Sequence, residues 1–152
     1  MPGDTDRAME NGHMAAWTNS GTGLVNAGRS LEAYNLQSCL AVTAEQLAVM
    51  GATLASGGVN PVTGKRVVDK DTVESVLSIM LMSGFYKESG HWAFHAGLPA
   101  KSGVGGGIVA VVPGRMAIVA FSPRLSEAGN SVRGTGAIRH ISDAMDLSVF
   151  RP

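Results

Sequence analysis

Apolar residues recur at helical spacing in the first half of the chain and gather into short continuous runs in the second half. The spacing from Ser30 onward predicts a helix with one buried stripe. That stripe would contain Leu31, Tyr34, Leu36 and Leu40. On this pattern alone, Tyr34 is a half-buried packing residue with its hydroxyl at the surface.

The next two helices carry recognisable start signals. Thr43, followed three residues later by Gln46, is typical of a capping box, and Gly57-Gly58 ends the helix that it opens. Asp71, with Glu74 three residues on, predicts the start of the following helix. The apolar face of that second helix would consist of Val73, Val76, Leu77, Met80 and Leu81.

Three antiparallel strands are predicted in the second half, at about 91–96, 107–113 and 116–122. Pro113-Gly114-Arg115 supplies a tight turn between the last two. Because both of these runs are apolar on both faces, we expect them at the centre of a sheet covered by helices. A closing helix is expected at about 135–147, and its sheet-facing residues would be Ala137, Ile138, Ile141, Ala144 and Met145.

The order helix, helix, strand, strand, strand, helix indicates an α+β fold with an antiparallel sheet flanked by helices. Residues 1–28 are predicted to be an irregular lead-in or a short helix, because Asn19-Ser20-Gly21-Thr22-Gly23 interrupts the weak pattern there. Residues 29–152 are predicted to form a single domain, since the chain of 152 residues is about one domain long.

Composition narrows the functional classes. Hydrophobic residues make up 45% and charged residues 16%, which is typical of a globular protein. Twelve basic and twelve acidic residues cancel, and no Lys/Arg stripe indicates a nucleic-acid partner. The single Cys39 rules out an internal disulfide and favours a reducing, cytoplasmic setting. The four histidines are His13, His91, His95 and His140.

These histidines lack metal-ligand spacing, so we predict no metal and no other cofactor. No apolar run reaches the roughly 18 residues of a membrane span. The first residues also lack the basic-then-apolar layout of a secretion signal. We therefore expect neither a membrane partner nor export.

The glycine-rich segment 97–107 is the stretch best suited to chemistry. Lys101 and Ser102 stand just before a run of glycines, which suits an anion-binding or acyl-transfer site because glycine lets the backbone approach a ligand. Val104, flanked by glycines, could direct its backbone N–H into a cleft as an oxyanion donor. The competing interpretation is a glycine-rich turn between two strands, with a solvated lysine.

Tyr86 is a further candidate, and it lies outside that segment. It follows the end of a predicted helix and lies in a polar loop with Lys87, Glu88 and Ser89. Aromatic hydroxyls on loops serve function in some proteins and are ordinary surface groups in more of them. Both interpretations stay open on these residues alone.

A series of motifs in a fixed order adds a family resemblance. The motifs are Val42-Thr43, residues 52–58, Ser83-Gly84-Phe85-Tyr86, residues 97–107, and Ser122-Pro123 with Gly129-Asn130-Ser131. From about Leu31 to Leu147 the chain resembles the C-terminal part of the serine-dependent glutaminases. Their fold is that of the β-lactamases and penicillin-binding proteins.

This resemblance implies hydrolysis of L-glutamine to L-glutamate and ammonia through a serine acyl-enzyme. Tyr34 is similar to a tyrosine that contacts the substrate, and Tyr86 to the tyrosine beside the nucleophile that helps to move its proton. Val104 is similar to the residue that supplies a backbone oxyanion donor. Lys101 and Ser102 correspond to a Lys-Ser/Thr-Gly motif that holds the acyl or carboxylate end of the substrate.

The chain also departs from the family's pattern. The family's nucleophile lies in a Ser-x-x-Lys motif, and this sequence contains none. Asp6-Arg7 fits an Asp-Arg-Asn turn of the family, but Ala8 holds the third place and Asn11 is out of register. A substrate-binding glutamate of the family would fall at or before Met1. The fold is therefore expected to be truncated at its N-terminus.

Three classes of function follow. The first is a glutaminase whose N-terminal half is missing or comes from another polypeptide, nearly inactive alone because it lacks a nucleophile. The second is a non-catalytic, glutaminase-derived module for oligomerisation or amino-acid binding. A penicillin-interacting relative is a third and less favoured class, because the contexts of Tyr34 and Tyr86 match the glutaminases. A missing half would leave an apolar patch exposed, so we also expect a homo-oligomer or poor solubility.

Overall fold

A computed structural model describes residues 27–151, and the chain divides into two compact units between Ala41 and Val42. In the first unit the predicted helix is present as α1, Ala27–Ser38. The expected buried stripe is wrong, because Leu36 and Leu40 are mostly exposed. At about 100° per residue, Leu40 falls on the opposite side of a helix from Leu31. The positions predicted within residues 1–26, among them Ala8 and Asn11, lie outside the described residues.

The second unit opens with two helices, α2 at Ala44–Ala55 and α3 at Lys70–Ser83. The predicted capping box of α2 is confirmed. Gln46 N–H donates to Thr43 Oγ1 at 3.2 Å, and Thr43 N–H donates to Gln46 Oε1 at 2.9 Å. The predicted cap at Asp71 is wrong, because α3 has Asp69 as its extended N-cap residue, and Asp71 already lies in the first turn. A carboxylate in that turn is favoured by the helix dipole rather than by a capping bond.

A short 3-10 turn, Tyr86–Glu88, and the helix α4, Ser89–His95, follow α3. The strand predicted at about 91–96 is therefore wrong. A strand would place residues 92, 94 and 96 on one face, but here Trp92 and Ala96 are buried while Phe94 is 85% exposed, as a helical period requires. The Trp92 ring stacks on Phe85 with their centroids 4.1 Å apart, and its Nε1–H donates to the Leu98 carbonyl at 2.7 Å.

The sheet of this unit contains β1 at Ala100–Ser102, β2 at Gly107–Val112 and β3 at Met116–Phe121, antiparallel and in that order. The last two predicted strands are confirmed, and the remaining strand comes from the Lys-Ser-Gly segment. Lys101 lies opposite Val109, which in turn lies opposite Val119. Only β2 has the expected central place. Among the described strands β3 is at the edge, and most of its residues are half-buried.

The closing helix α5 spans Val132–Ala144, three residues earlier than predicted at each end. It starts there because the Ser131 hydroxyl accepts the Gly134 N–H. Ile138 is buried and Ile141 packs against the core, as predicted, but Ala137, Ala144 and Met145 are exposed. The main core joins the helices to the sheet through Phe85, Trp92, Ala96, Leu98, Ala100, Ile108, Ala110, Val112, Ile138 and Leu147.

The predicted α+β class with an antiparallel sheet is thus confirmed. Within residues 27–151 no helix is both long and apolar enough to cross a membrane. In the same part of the chain, no three His, Cys, Asp or Glu side chains are grouped so that they could hold a metal ion.

Charges on α5 act on a histidine of α4. The pKa of His95 is lowered from its ordinary value of 6.5 by partial burial, then by the positive charges of Arg139 and His91, while Asp143 acts in the opposite direction. The folded protein therefore favours the neutral imidazole.

We predict opposite shifts for two substitutions around this histidine. Arg139→Gln raises the pKa of His95, because it removes a repelling cation, and Asp143→Asn lowers it, because it removes an attracting anion. An NMR titration of the imidazole proton resonances measures both. Shifts of equal sign in the two variants would contradict this account.

The capping box gives a second prediction. Thr43→Ala should lower the free energy of unfolding by about 1 kcal/mol, because the Gln46 N–H loses its acceptor. Thr43→Ser keeps a hydroxyl at the same place and serves as the matched control. Urea denaturation measures both variants, and an equal loss in the two would show that the hydroxyl does not stabilise the helix.

Candidate functional site

The site is built around Tyr86, whose backbone is left-handed, with φ at +53°. A residue with a side chain rarely adopts this conformation. Hydrogen bonds on both sides hold it here. Phe85 N–H donates to Ser89 Oγ at 3.0 Å, and that hydroxyl donates to the Tyr86 carbonyl at 2.9 Å. The turn leaves the Tyr86 side chain half-exposed just after the end of α3.

The end of α3 lies directly against β1. Ser102 N–H donates to the Gly84 carbonyl at 3.0 Å. A Cβ atom at Gly84 would lie 1.7 Å from the Ala100 carbonyl oxygen, so no other residue fits at this position without a shift of the backbone. Glycine here lets the turn that carries Tyr86 stand beside the strand that carries Lys101.

Lys101 and Tyr86 meet across this contact. The Lys101 Nζ atom lies 4.4 Å from the centroid of the Tyr86 ring, within the range of a cation–π interaction. The same ammonium group donates to the Ser102 carbonyl. A positive charge is thereby held at the face of the phenol ring, where it can attract an anionic group.

Ser102 points the other way, into the protein, and is 2% exposed. Its Oγ lies 2.5 Å from Asn130 Oδ1 and 3.3 Å from the Gly84 carbonyl, and it donates to the nearer oxygen. Asn130 Nδ2 donates to Glu88 Oε2 at 2.5 Å and to the Phe85 carbonyl at 3.3 Å. The serine hydroxyl thus belongs to a buried polar network, and its direct contact with a substrate stays a prediction.

Val104 lies in the turn between β1 and β2. Gly106 N–H donates to the Gly103 carbonyl, and Gly103 N–H donates to the Gly107 carbonyl, each at 2.9 Å. Val104 itself is 72% exposed, and within residues 27–151 its backbone N–H donates to no other group. That N–H is therefore open to an acceptor from outside this part of the chain.

Gly106 shapes this turn. Its φ is +96°, and a Cβ atom there would lie 2.6 Å from the Ser122 carbonyl oxygen. The Gly106 carbonyl also accepts the Ser122 N–H at 2.9 Å. The close approach of these two backbones fixes the loop that carries Val104.

A groove of about 400 Å³ borders the same glycine turn. Its walls are mainly apolar and include Thr43, Leu47, Gly105, Val119 and Phe121. Phe121, at the end of β3, is 70% exposed. The turn thus stands beside an open apolar surface.

The structure therefore brings together Tyr86, Lys101 and Ser102, and it places Val104 two residues beyond Ser102. Tyr34 belongs to α1 of the first unit and is 44% exposed, and its role at a substrate stays a prediction. Glu88 and Asn130 received no role from the sequence pattern. A signal for Asn130 was its place immediately before Ser131, the cap of α5.

Comparison with known protein families gives one family. A family model described as Glutaminase matches residues 4–150. A glutaminase of Mycobacterium ulcerans (strain Agy99) is 51% identical over 137 residues, which are 89% of this chain and 43% of the relative. Glutaminase 1 of Shigella flexneri is 49% identical over 126 residues, covering 83% of this chain and 41% of the relative.

Solved structures give the same answer. The Bacillus subtilis glutaminase YbgJ, in a covalent complex with 5-oxo-L-norleucine, has a TM-score of 0.89 at 32% identity, covering 97% of this chain and 53% of that one. Mglu in its glutamate form has a TM-score of 0.70 at 47% identity, covering 73% of this chain and 26% of that one. The chain thus spans less than half the length of the curated relatives described above.

A matched pair of substitutions tests the turn that carries Val104. Gly106→Ala should destabilise the protein by about 1–3 kcal/mol, because the new Cβ meets the Ser122 carbonyl and the left-handed backbone is strained. It should also shift the Val104 amide resonance.

Gly105→Ala is the control, because a Cβ at Gly105 meets nothing within 4 Å. Amide NMR spectra and urea denaturation measure both variants. If the Gly106→Ala spectrum keeps the Val104 resonance in place, the turn does not depend on this close approach.

Proposed function

The chain belongs to the glutaminase family, and on that premise we propose that it forms the sheet-side wall of a site that hydrolyses L-glutamine to L-glutamate and ammonia. The observation that carries the proposal is the contact of the Lys101 ammonium with the Tyr86 ring, at 4.4 Å. Lys101 lies on β1, which leads to Val104, whose N–H has no acceptor among residues 27–151. The motif resemblance itself is confirmed by the family match.

The proposed chemistry follows from the weakness of a carboxamide as an electrophile. A serine hydroxyl adds to the amide carbon, and the oxyanion that forms accepts the Val104 N–H. Tyr86 passes the serine proton towards the departing nitrogen, so that the C–N bond breaks and ammonia leaves. Water then cleaves the serine ester and releases glutamate.

Lys101 has an electrostatic part in this proposal. Its ammonium group attracts a carboxylate of the substrate while it stays against the Tyr86 ring. Ser102 acts on the substrate side through its backbone and through the position of Lys101, because its hydroxyl is engaged with Asn130. Tyr34 is proposed as a further substrate contact on the strength of the motif resemblance alone.

The nucleophile is proposed to lie outside this sequence. No Ser-x-x-Lys occurs in the chain, and the relatives are more than twice the length that it covers. The YbgJ structure is a covalent complex formed by reaction of that protein with 6-diazo-5-oxo-L-norleucine, and another structure is the glutamate form of Mglu. Both support an amino acid of this size and charge as the ligand class.

Two further properties belong to the proposal. A homo-oligomer is favoured by the large apolar side chains that stand exposed in the second unit, among them Val42, Val104 and Phe121. A cytoplasmic location is favoured by the single Cys39, which offers no internal disulfide. Light scattering at high concentration tests the first, and a monodisperse monomer would overturn it.

The activity is tested by ammonia release from glutamine. The chain is assayed alone and mixed with a polypeptide that carries the Ser-x-x-Lys region of the Mycobacterium ulcerans relative. We expect release in the mixture only. Tyr86→Phe should lower the rate by about 10²–10⁴-fold, because the phenol can no longer move a proton. Phe94→Leu, on the exposed side of α4, is the control.

The competing function is a non-catalytic module. Calorimetry with glutamine and glutamate distinguishes it, because a module that binds amino acids would show heat of binding without ammonia in either assay. A module for oligomerisation would show neither. Either result would overturn the proposed hydrolysis.

A further inference from the structure

Three segments of the second unit meet at the side chain of Asn130. These are the turn that carries Tyr86, the strand β1, and the loop before α5. Asn130 is 2% exposed, yet both ends of its amide are hydrogen-bonded. Its Oδ1 accepts the Ser102 hydroxyl, while its Nδ2 donates to the Glu88 carboxylate and to the Phe85 carbonyl.

Only a carboxamide side chain satisfies these three partners together. The amide offers one oxygen acceptor and two N–H donors, which match one hydroxyl, one carboxylate and one carbonyl. An aspartate would place a second carboxylate against Glu88, and a leucine would remove the bonds to all three partners, of which the Ser102 hydroxyl is the one on a fully buried side chain. The residue type is therefore matched to its place.

Asn130 is itself held firmly. Its backbone N–H donates to Ser126 Oγ at 3.3 Å, and its carbonyl accepts the Ser126 N–H at 2.7 Å. The next residue, Ser131, caps α5. The amide is thus anchored to the closing helix, whose Ile138 lies in the core.

The partners of Asn130 are sequence neighbours of the two groups in the candidate site. Phe85 and Glu88 flank Tyr86, whose left-handed backbone persists only if its surroundings hold it. Ser102 follows Lys101, whose ammonium lies over the Tyr86 ring. A bond to Phe85 on one side and to Ser102 on the other joins these two segments, beside the backbone bond from Ser102 N–H to the Gly84 carbonyl.

We propose that Asn130 is a positioning residue, which holds Tyr86 against Lys101 by bridging the turn that carries Tyr86 to β1. The effect of Asn130 on the contact between Lys101 and Tyr86 is independent of the proposed function. Its effect on catalysis rests on the proposed function, since Asn130 is buried and reaches a substrate only through these two groups.

The contact is measured by NMR on the full chain labelled with ¹³C-lysine. The sequence has four lysines, and Lys101→Arg identifies the signal of Lys101. Protons over the face of an aromatic ring resonate upfield, so the Lys101 side chain should stand upfield of the other three. Tyr86→Phe should preserve this shift because it keeps the ring, and Tyr86→Leu should abolish it.

Asn130→Leu should move the Lys101 signal to the range of the other lysines. Ser142→Ala is the matched control, because it also removes a buried hydrogen bond made from the α5 side, to the Ala96 carbonyl at 2.7 Å, without touching this network. It should destabilise the protein but leave the Lys101 signal in place. Glu88→Gln keeps an oxygen acceptor for Nδ2 and should retain the upfield shift.

If Asn130→Leu does not fold, Ser102→Ala tests the proposal instead. It removes only one of the three hydrogen bonds of the Asn130 amide, and it should move the Lys101 signal part of the way towards the other lysines. An unchanged Lys101 signal in a folded Asn130→Leu or Ser102→Ala protein would overturn the proposal. So would a Lys101 signal that is not upfield in the unsubstituted chain.

A second readout uses the mixture that releases ammonia. Asn130→Leu should lower kcat about tenfold to a hundredfold with little change in KM, because a small misplacement of a catalytic group has that effect. Ser142→Ala should leave both constants unchanged. An inactive mixture with the unsubstituted chain would count against the proposed hydrolysis, while the NMR result would still decide whether Asn130 positions the pair.

Discussion

The hydrogen bond from Ser102 N–H to the Gly84 carbonyl joins the end of a helix to the first strand of the sheet. The rest of the candidate site depends on it, because it sets the turn that carries Tyr86 beside the strand that carries Lys101. The two backbones are so close that a single Cβ at Gly84 would collide with Ala100. Loss of this contact would separate the phenol from the ammonium even if both elements stayed intact. Close packing of backbone at Gly84 is thus the first condition of the site, and the side-chain bridge proposed for Asn130 adds to it.

Polar groups of this unit are divided between the inside and the surface. The hydroxyl, amide and carboxylate of Ser102, Asn130 and Glu88 are turned to one another, which satisfies groups that would otherwise be costly to bury. The Lys101 ammonium lies against the half-exposed Tyr86 ring instead, and Val104 is exposed. Neighbouring residues on one short strand and turn therefore serve two purposes, because side chains alternate across a strand. The proposed function uses the outer set, and the inner set is bonded within the protein.

The family match and the missing Ser-x-x-Lys motif are compatible, because the chain covers 43% of the length of the Mycobacterium ulcerans relative. What it covers has the sheet, the closing helix and the glycine turn that carries Val104. An acyl-transfer site needs both a nucleophile and preorganised donors, and the proposed contribution of this sequence is the second of these. Its exposed apolar side chains beside the glycine turn suit a surface that another polypeptide segment covers.

Local signals in the sequence were sufficient for the helices of the first half, the β2–β3 hairpin and the capping box at Thr43, because each depends on residues within a few positions of one another. The Lys-Ser-Gly motif was also visible in the sequence, as residue types suited to anions. The role of Tyr86 in proton transfer came from the family resemblance. The strand predicted at 91–96 is a helix, because a short apolar run fits either period. The helix lets Trp92 stack on Phe85, a contact that the local pattern does not contain. The partners of Asn130 were beyond any local pattern, because 28 residues separate it from Ser102 and 42 from Glu88. Only the packing of α5 and of the turn that carries Tyr86 against the sheet brings these groups within hydrogen-bond distance.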